Sequence, residues 1–270
     1  MSNLTLRITA AIVGIPILLW CAISGGVWLI VLIAAIQILL LQEWRGFARA
    51  AEVPLWSVAV AIAVAGLDLF IFQRGEGQAT GESLIALYLW VLLVVFSKVR
   101  KPLLQLGYGA LFLLYAALPL ALWLPISEFT EVSRHSKLGA LGVLFAATWL
   151  CDSAAYFGGR SLGKHKLYPQ ASPNKTIEGA VSGVIGAALL LPALKIFGFA
   201  SPTTLDFIIL PLVVGVAGQV GDLIESLMKR EAGVKDSSHV IPGHGGFLDR
   251  FDSLLLSSPL FFAFLSLTSK

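Results

Sequence analysis

Charged residues are scarce in this chain. They make up 13% of its 270 residues, and 57% of the residues are hydrophobic. A soluble domain usually carries about 25% charged residues, so this composition excludes an ordinary soluble protein. The net charge is only +3, and no nucleic acid is predicted as a partner.

Cysteine is also rare. The two cysteines, Cys21 and Cys151, both lie within apolar runs. This number and placement exclude a disulfide framework and offer no zinc-ligand spacing. We interpret both residues as small buried side chains.

Long apolar runs, by contrast, are abundant. Many reach or approach the ~20 residues needed to cross a bilayer, and such runs form helices because lipid offers no partner to an open strand edge. The chain is therefore predicted to be an all-α polytopic integral membrane protein with about nine transmembrane helices. The predicted spans are 6–24, 27–44, 54–72, 82–98, 103–125, 138–158, 176–199, 205–228 and 250–268.

The positions of the cations predict the orientation. Fourteen of the 19 lysines and arginines fall in one alternating set of loops, which the positive-inside tendency places in the cytoplasm together with the N-terminus. The polar loops 159–175 and 229–249 then face the cytoplasm. We expect residues 1–137 to form a scaffold or dimerisation region of transmembrane helices, and residues 138–270 to form the catalytic region.

Four acids lie at the ends of the last two runs. Asp222 and Glu225 are three residues apart, on one helix face. An ion pair with Lys229 explains Glu225 as well as a function does, whereas an acid inside an apolar helix such as Asp222 favours function. The helix dipole alone would explain either Asp249 or Asp252. Asp222 and Asp249 could supply oxygen ligands to Mg²⁺, with Asp252 orienting a neighbouring group.

A glycine-rich turn, Pro242-Gly243-His244-Gly245-Gly246, precedes the ninth run. Exposed backbone N–H groups in such a turn can hold an anion. Cations flank the turn, so the segment predicts a polyphosphate site. These cations are Lys229, Arg230, Lys235 and Arg250.

A second polar region follows Asp152, which is another carboxylate in an apolar run. Ser172, Lys175 and Thr176 could bind phosphate or nucleotide. The alternative for this segment is structural, because Ser172, Thr176 and Glu178 are residue types that cap a helix.

These segments resemble the signature of the phosphatidate cytidylyltransferase family. That signature has Ser-x-apolar-Lys-Arg, then Lys-Asp, then Pro/Gly-x-His-Gly-Gly-apolar-x-Asp-Arg-apolar-Asp. It is met by Ser226, Lys229, Arg230, Lys235, Asp236, His244, Gly245, Gly246, Asp249, Arg250 and Asp252. Residues 152–179 are similar to a second pattern of the same family, with Asn174 in place of the usual lysine and Ile177 in place of the usual tryptophan.

The resemblance implies transfer of CMP from CTP to phosphatidic acid, which gives CDP-diacylglycerol and pyrophosphate. It implies Mg²⁺, with a second cation left open, and a homodimer among the lipids of a bacterial inner membrane with its active site facing the cytoplasm. The metal ligands expected first are Asp222 and Asp249, and the further candidates are Asp152, Asp236 and Asp252. The groups expected to hold phosphates in catalysis are Lys229, Arg230, His244 and Arg250. The residues expected to bind substrate are Ser172, Pro173, Lys175, Thr176, Lys235, Gly245 and Gly246.

An ion-coupled transporter is the alternative function. Asp152, Asp222 and Asp249 could form a cation path through the membrane. That hypothesis predicts acids near mid-membrane and a repeat symmetry, whereas the cations and the His-Gly-Gly turn are expected together on one face.

Overall fold

Helices occupy the long apolar runs, as the sequence predicts. The computed structural model describes residues 3–50, 79–96, 101–129, 138–238, 240 and 245–268. The helices in these ranges are α1 (Asn3–Ser24), α2 (Gly26–Ala50), α3 (Ala79–Phe96), α4 (Pro102–Glu128), α5 (Gly139–Leu162), α6 (Ile177–Ile196), α7 (Thr204–Glu231) and α8 (Leu248–Thr268).

Six of these helices, α2 and α4 to α8, are long and apolar enough to cross a membrane. The chain is therefore an all-α integral membrane protein. Every predicted span within the described residues coincides with a helix, and the predicted span 54–72 lies outside them. The total of nine spans and the side on which the N-terminus lies stay predictions.

Two of the helices contain a π-helical turn. The turn at Leu113–Ala117 interrupts α4, and the turn at Val213–Gly218 divides α7 into Thr204–Leu212 and Gln219–Glu231. A π turn shifts the direction in which all later side chains of the helix point, and such turns are frequent near functional sites. The turn in α7 ends four residues before Asp222.

A short β-hairpin lies in the polar segment between α5 and α6. Strand β1 (Lys166–Tyr168) pairs antiparallel with β2 (Ser172–Thr176). The sequence predicts only a loop for this segment. Its strands are too short and too polar to give an alternating apolar pattern, so the hairpin carries no clear signal in the sequence.

The core lies between α2, α4, α5 and α8, where large aromatic residues are fully buried. Trp123 of α4 packs edge-on against Phe145 of α5 with ring centroids 4.8 Å apart. Its indole nitrogen also donates a hydrogen bond to Ser258 of α8 at 2.9 Å. This polar contact matters in an apolar interior because an unpaired indole N–H would be costly there.

Small residues bring α5 and α6 into close contact. A Cβ atom on Gly186 would lie 2.5 Å from the Cβ of Ala154, and one on Gly183 would lie 3.1 Å from the sulfur of Cys151. Small residues at a helix interface let membrane helices approach closely. This packing holds the hairpin, which joins the same two helices, beside the end of α7.

Candidate active site

Three carboxylates of α7 and α8 meet at one point. Asp222 and Glu225 lie one turn apart on α7, and Asp252 lies on α8. One oxygen from each residue is within 4.8 Å of the other two. Two oxygen ligands of one Mg²⁺ lie at most about 4.2 Å apart, twice the metal–oxygen distance. The three acids therefore have nearly the spacing of a metal site and could hold a metal ion.

The close approach of α7 and α8 at this point depends on Gly221. A Cβ atom on this residue would lie 2.6 Å from the backbone oxygen of Asp252. From a third helix, the Tyr115 hydroxyl donates a hydrogen bond to the Gly221 carbonyl at 2.8 Å. A larger side chain at position 221 would force the helices apart and separate Asp222 from Asp252.

Lys229 lies between two acids on different helices. Its ammonium is 2.5 Å from an oxygen of Glu225 and 2.6 Å from an oxygen of Asp249. Glu225 is fully buried and Lys229 is 9% exposed. This ion-pair group joins α7 to the beginning of α8, and its cation offsets part of the negative charge of the cluster.

The donor set around Glu225 suits a cation. Among the described residues no hydrogen-bond donor is aligned with either carboxylate oxygen of Glu225, so its contact with Lys229 is an ion pair without hydrogen-bond geometry. A buried carboxylate whose oxygens lack donors is costly unless a cation binds it. The Lys229 ammonium is the cation at one of these oxygens, and the other oxygen is available to a divalent ion.

Asp249 differs from the three clustered acids in the number of hydrogen-bond donors around it. It accepts hydrogen bonds from the Lys229 ammonium at 2.6 Å, the Ser237 hydroxyl at 2.8 Å, and the backbone N–H groups of Ser237 at 3.0 Å and Gly246 at 2.8 Å. The structure thus places Asp249 against protein donors, while Glu225 completes the group of three acids. Metal ligation by Asp249 stays a prediction.

Glu43 of α2 reaches the same region from the first half of the chain. Its carboxylate is 3% exposed. It accepts hydrogen bonds from the hydroxyls of Ser237 and Ser238 and from the backbone N–H groups of Phe247 and Leu248, at 2.6 to 3.0 Å. Glu43 is not among the residues predicted for the site, and its only signal in the sequence is an acid near the end of a long apolar run.

The β-hairpin places a second cation beside the cluster. Lys175 of β2 forms an ion pair with Asp222. Thr176 caps α6 by accepting a hydrogen bond from the Gly179 N–H at 3.1 Å, which confirms the capping interpretation for that residue. Glu178 accepts from the backbone of Lys164 at 3.0 Å and contacts the His165 ring at 2.6 Å, and so ties the start of the hairpin to α6.

A cavity of about 930 Å³ lies beside the carboxylates. Its lining has a polar part and an apolar part. The charged residues of the lining are Asp152, Arg160, Lys175, Asp222, Asp249, Arg250 and Asp252. The apolar part includes Ile15 and Leu18 of α1 and Phe145 and Trp149 of α5. The cavity can therefore accommodate a molecule with a charged group and a hydrocarbon part.

The structure brings together only some of the residues predicted for the site. Lys175 and Thr176 line the cavity with the charged residues named above. The other predicted site residues that the structure describes do not line the cavity. They are Ser172, Pro173, Lys229, Arg230, Lys235, Asp236, Gly245 and Gly246. Within this second set, Arg230 donates to the Val234 carbonyl at 3.3 Å. His244 lies outside the described residues, so its predicted role is untested.

Comparisons with known proteins agree with the resemblance noted in the sequence. The model of a family described as the Cytidylyltransferase family matches residues 5–268. A phosphatidate cytidylyltransferase of Bacillus subtilis is 31% identical over 278 residues and covers 100% of both chains. Phosphatidate cytidylyltransferases of Staphylococcus saprophyticus and Staphylococcus aureus are 32% and 33% identical over 258 residues, with 94% of each chain covered.

Replacement of Lys229 tests the ion-pair group. Lys229→Met removes the ammonium that Glu225 and Asp249 share, and we expect it to lower the free energy of unfolding by about 3–5 kcal/mol, because two buried acids lose their cation. Lys175→Met is the matched control, since its partly exposed ion pair should contribute about 1 kcal/mol or less. Thermal and denaturant unfolding in detergent would measure both. Equal small losses would show that Lys229 does not stabilise the helix junction.

Proposed function

The chain belongs to the cytidylyltransferase family, and on that basis we propose that it transfers CMP from CTP to phosphatidic acid. The products are CDP-diacylglycerol and pyrophosphate. The observation that carries the proposal is the cavity in which acids and cations meet an apolar surface of α1 and α5. Such a cavity suits a reaction between a water-soluble triphosphate and the phosphate of a lipid.

The reaction needs no general base from the protein. The nucleophile is a phosphate oxygen of phosphatidic acid, which is already anionic at neutral pH. The difficulty is to bring two polyanions together and to align them for attack on the α-phosphorus of CTP. Lys175 and Arg250 line the cavity, and their charges would hold phosphate groups near the acids.

We propose that Asp222, Glu225 and Asp252 hold Mg²⁺. Their hard oxygen atoms suit that ion, and the lack of aligned donors at Glu225 supports the assignment. A bound Mg²⁺ would neutralise phosphate charge and stabilise pyrophosphate as it leaves. Lys229 and Asp249 would keep α7 and α8 in the spacing that brings the three acids together. Direct ligation by Asp249, Asp152 or Asp236 remains a separate prediction.

The apolar part of the cavity supports the binding of a lipid. Ile15 and Leu18 of α1 and Phe145 and Trp149 of α5 line this part. Acyl chains could lie against these side chains while the phosphate of the same lipid reaches Lys175 and Arg250. CTP would approach from the side of the polar hairpin.

The location and assembly of the protein follow from the charge pattern and the resemblance. We propose nine membrane spans, a cytoplasmic N-terminus and an active site on the cytoplasmic face of a bacterial inner membrane. We also propose a homodimer, in which residues 1–137 supply a scaffold or dimerisation region. The transporter alternative receives no support, because the matched family and the relatives named above are cytidylyltransferases.

A reconstituted assay tests the proposed activity. Purified protein in mixed micelles should convert labelled CTP and phosphatidic acid into a lipid-soluble cytidine product. Chelation of divalent ions should abolish the product, and added Mg²⁺ should restore it, because the acid group needs a cation to accept a phosphate. Folded protein that forms no such product under these conditions would remove the enzyme assignment.

Asp222→Asn tests the metal group. We expect turnover to fall by at least about 100-fold, because loss of one charged ligand removes several kcal/mol of transition-state stabilisation. Asp206→Asn is the matched control on the same helix, since Asp206 caps the start of α7 in a box with Thr203. It should lower stability slightly and leave turnover near the unchanged level. Similar turnover in both variants would contradict the role of Asp222.

The orientation can be measured with a cysteine in the hairpin. Tyr168 is exposed, and the native Cys21 and Cys151 are buried. Tyr168→Cys should react with a membrane-impermeant maleimide in inside-out vesicles and stay unlabelled in intact spheroplasts. Labelling in spheroplasts alone would place the hairpin outside the cell.

A further inference from the structure

We propose that Glu43 of α2 is a positioning residue for the active site. It holds the two ends of the polar segment 237–248 and thereby keeps Asp249 and Lys229 in place beside the carboxylate cluster. The inference rests on the proposed function and extends it, because it assigns Glu43, a residue outside the cavity lining, a role in the reaction.

The contacts of Glu43 bridge two points far apart in the sequence. One oxygen accepts from the Ser238 hydroxyl at 2.6 Å and the Phe247 N–H at 2.7 Å, and the other accepts from the Ser237 hydroxyl at 3.0 Å and the Leu248 N–H at 2.7 Å. Each oxygen therefore contacts both ends of the segment. A single buried side chain thus ties residues 237 and 238 to residues 247 and 248.

The geometry around Gly246 shows how closely the loop is fitted to this carboxylate. A Cβ atom on Gly246 would lie 2.6 Å from a Glu43 oxygen and would also overlap the Ser237 hydroxyl. Gly246 itself donates its N–H to Asp249 at 2.8 Å. Because residue 246 is a glycine, the backbone can pass between Glu43 and Asp249 and donate its N–H to Asp249.

The position requires a negative charge rather than only a polar side chain. The first N–H groups of a helix have no partner within the helix, and the dipole favours an anion there. Glu43 meets this need at the start of α8 through Phe247 and Leu248. A glutamine would direct its NH₂ group at one of these backbone N–H groups, so a donor would face a donor.

Ser237 links Glu43 to Asp249 at the site. Its hydroxyl lies 3.0 Å from Glu43 and 2.8 Å from Asp249, although it has a single hydrogen to donate. Asp249 in turn contacts Lys229, and Lys229 contacts Glu225 of the cluster. Loss of Glu43 would free one end of this chain of contacts while all the other side chains remain present.

A buried polar residue can also serve only to join helices, and α2 offers a matched example. Gln37 is 4% exposed and donates to the Ala117 carbonyl of α4 at 3.1 Å. It lies on the same helix, is as buried as Glu43, and forms no hydrogen bond with the described residues of segment 237–248. Gln37→Leu is therefore the control for a purely structural effect.

The experiment compares Glu43→Gln, Glu43→Asp and Gln37→Leu with the unchanged protein. For Glu43→Gln we expect kcat to fall by about 10-fold, the lower end of the range for an outer partner of a metal ligand, because Glu43 acts on the cluster through Ser237, Asp249 and Lys229. In the absence of substrate and metal, amide hydrogen exchange should increase in peptides covering 237–250 and stay unchanged elsewhere. Glu43→Asp should show smaller changes than Glu43→Gln in both kcat and hydrogen exchange. Gln37→Leu should lower the melting temperature and leave kcat and hydrogen exchange unchanged.

The outcomes distinguish a positioning role of Glu43 from a purely structural one. Unchanged kinetics and exchange in Glu43→Gln would overturn the positioning role, as would a loss of melting temperature alone, like that of Gln37→Leu. If the unchanged protein forms no cytidine lipid, the proposed function fails, and hydrogen exchange still decides whether Glu43 holds the segment. If Glu43→Gln does not fold, Glu43→Asp supports the same comparison.

Discussion

The ion-pair group of Lys229 with Glu225 and Asp249 is the interaction on which the active site depends. It brings together three charged side chains from two helices in a chain that has few charges. Each buried charge would be unstable alone, since removal of an ion from water costs several kcal/mol. The helix ends are therefore held together because the charges need one another, and the position of the acids follows from that requirement.

Backbone geometry makes this meeting of charges possible. The π turn at Val213–Gly218 sets the direction in which the later part of α7 presents its acids. Gly221 then allows that part of the helix to touch α8 at Asp252, and Tyr115 fixes the contact from α4. The site thus depends on a helix irregularity, a missing side chain and a hydrogen bond, none of which carries charge.

The sequence predicts the helices well because their signal is length and hydropathy, which the thickness of a bilayer determines. It also identifies the charged segments, since charge stands out in so apolar a chain. The sequence does not decide whether Glu225 or Asp249 is the third member of the acid cluster. Both acids lie near helix ends, and which of them faces Asp222 depends on the rotation of α7 relative to α8. The hairpin and the contacts of Glu43 were missed for a similar reason, because each depends on pairing that only the folded chain establishes.

The surroundings of each buried acid indicate what that acid does. Glu43 and Asp249 together face seven donor groups of described residues, with the Ser237 hydroxyl shared between them, so their charge is already satisfied by protein and they serve to fix its shape. In the cluster, Asp222 forms an ion pair with Lys175 and accepts one long hydrogen bond from Ser226 at 3.4 Å, and Asp252 accepts one from its neighbour Ser253. Glu225 forms an ion pair with Lys229 and has no aligned donor among the described residues. These acids have fewer protein donors than Glu43 and Asp249, so they retain oxygens to offer a divalent ion. Residues 1–137, which the sequence predicts to be a scaffold, therefore also contribute to the site: Glu43 of α2 holds the backbone beside Asp249, and Tyr115 of α4 holds Gly221.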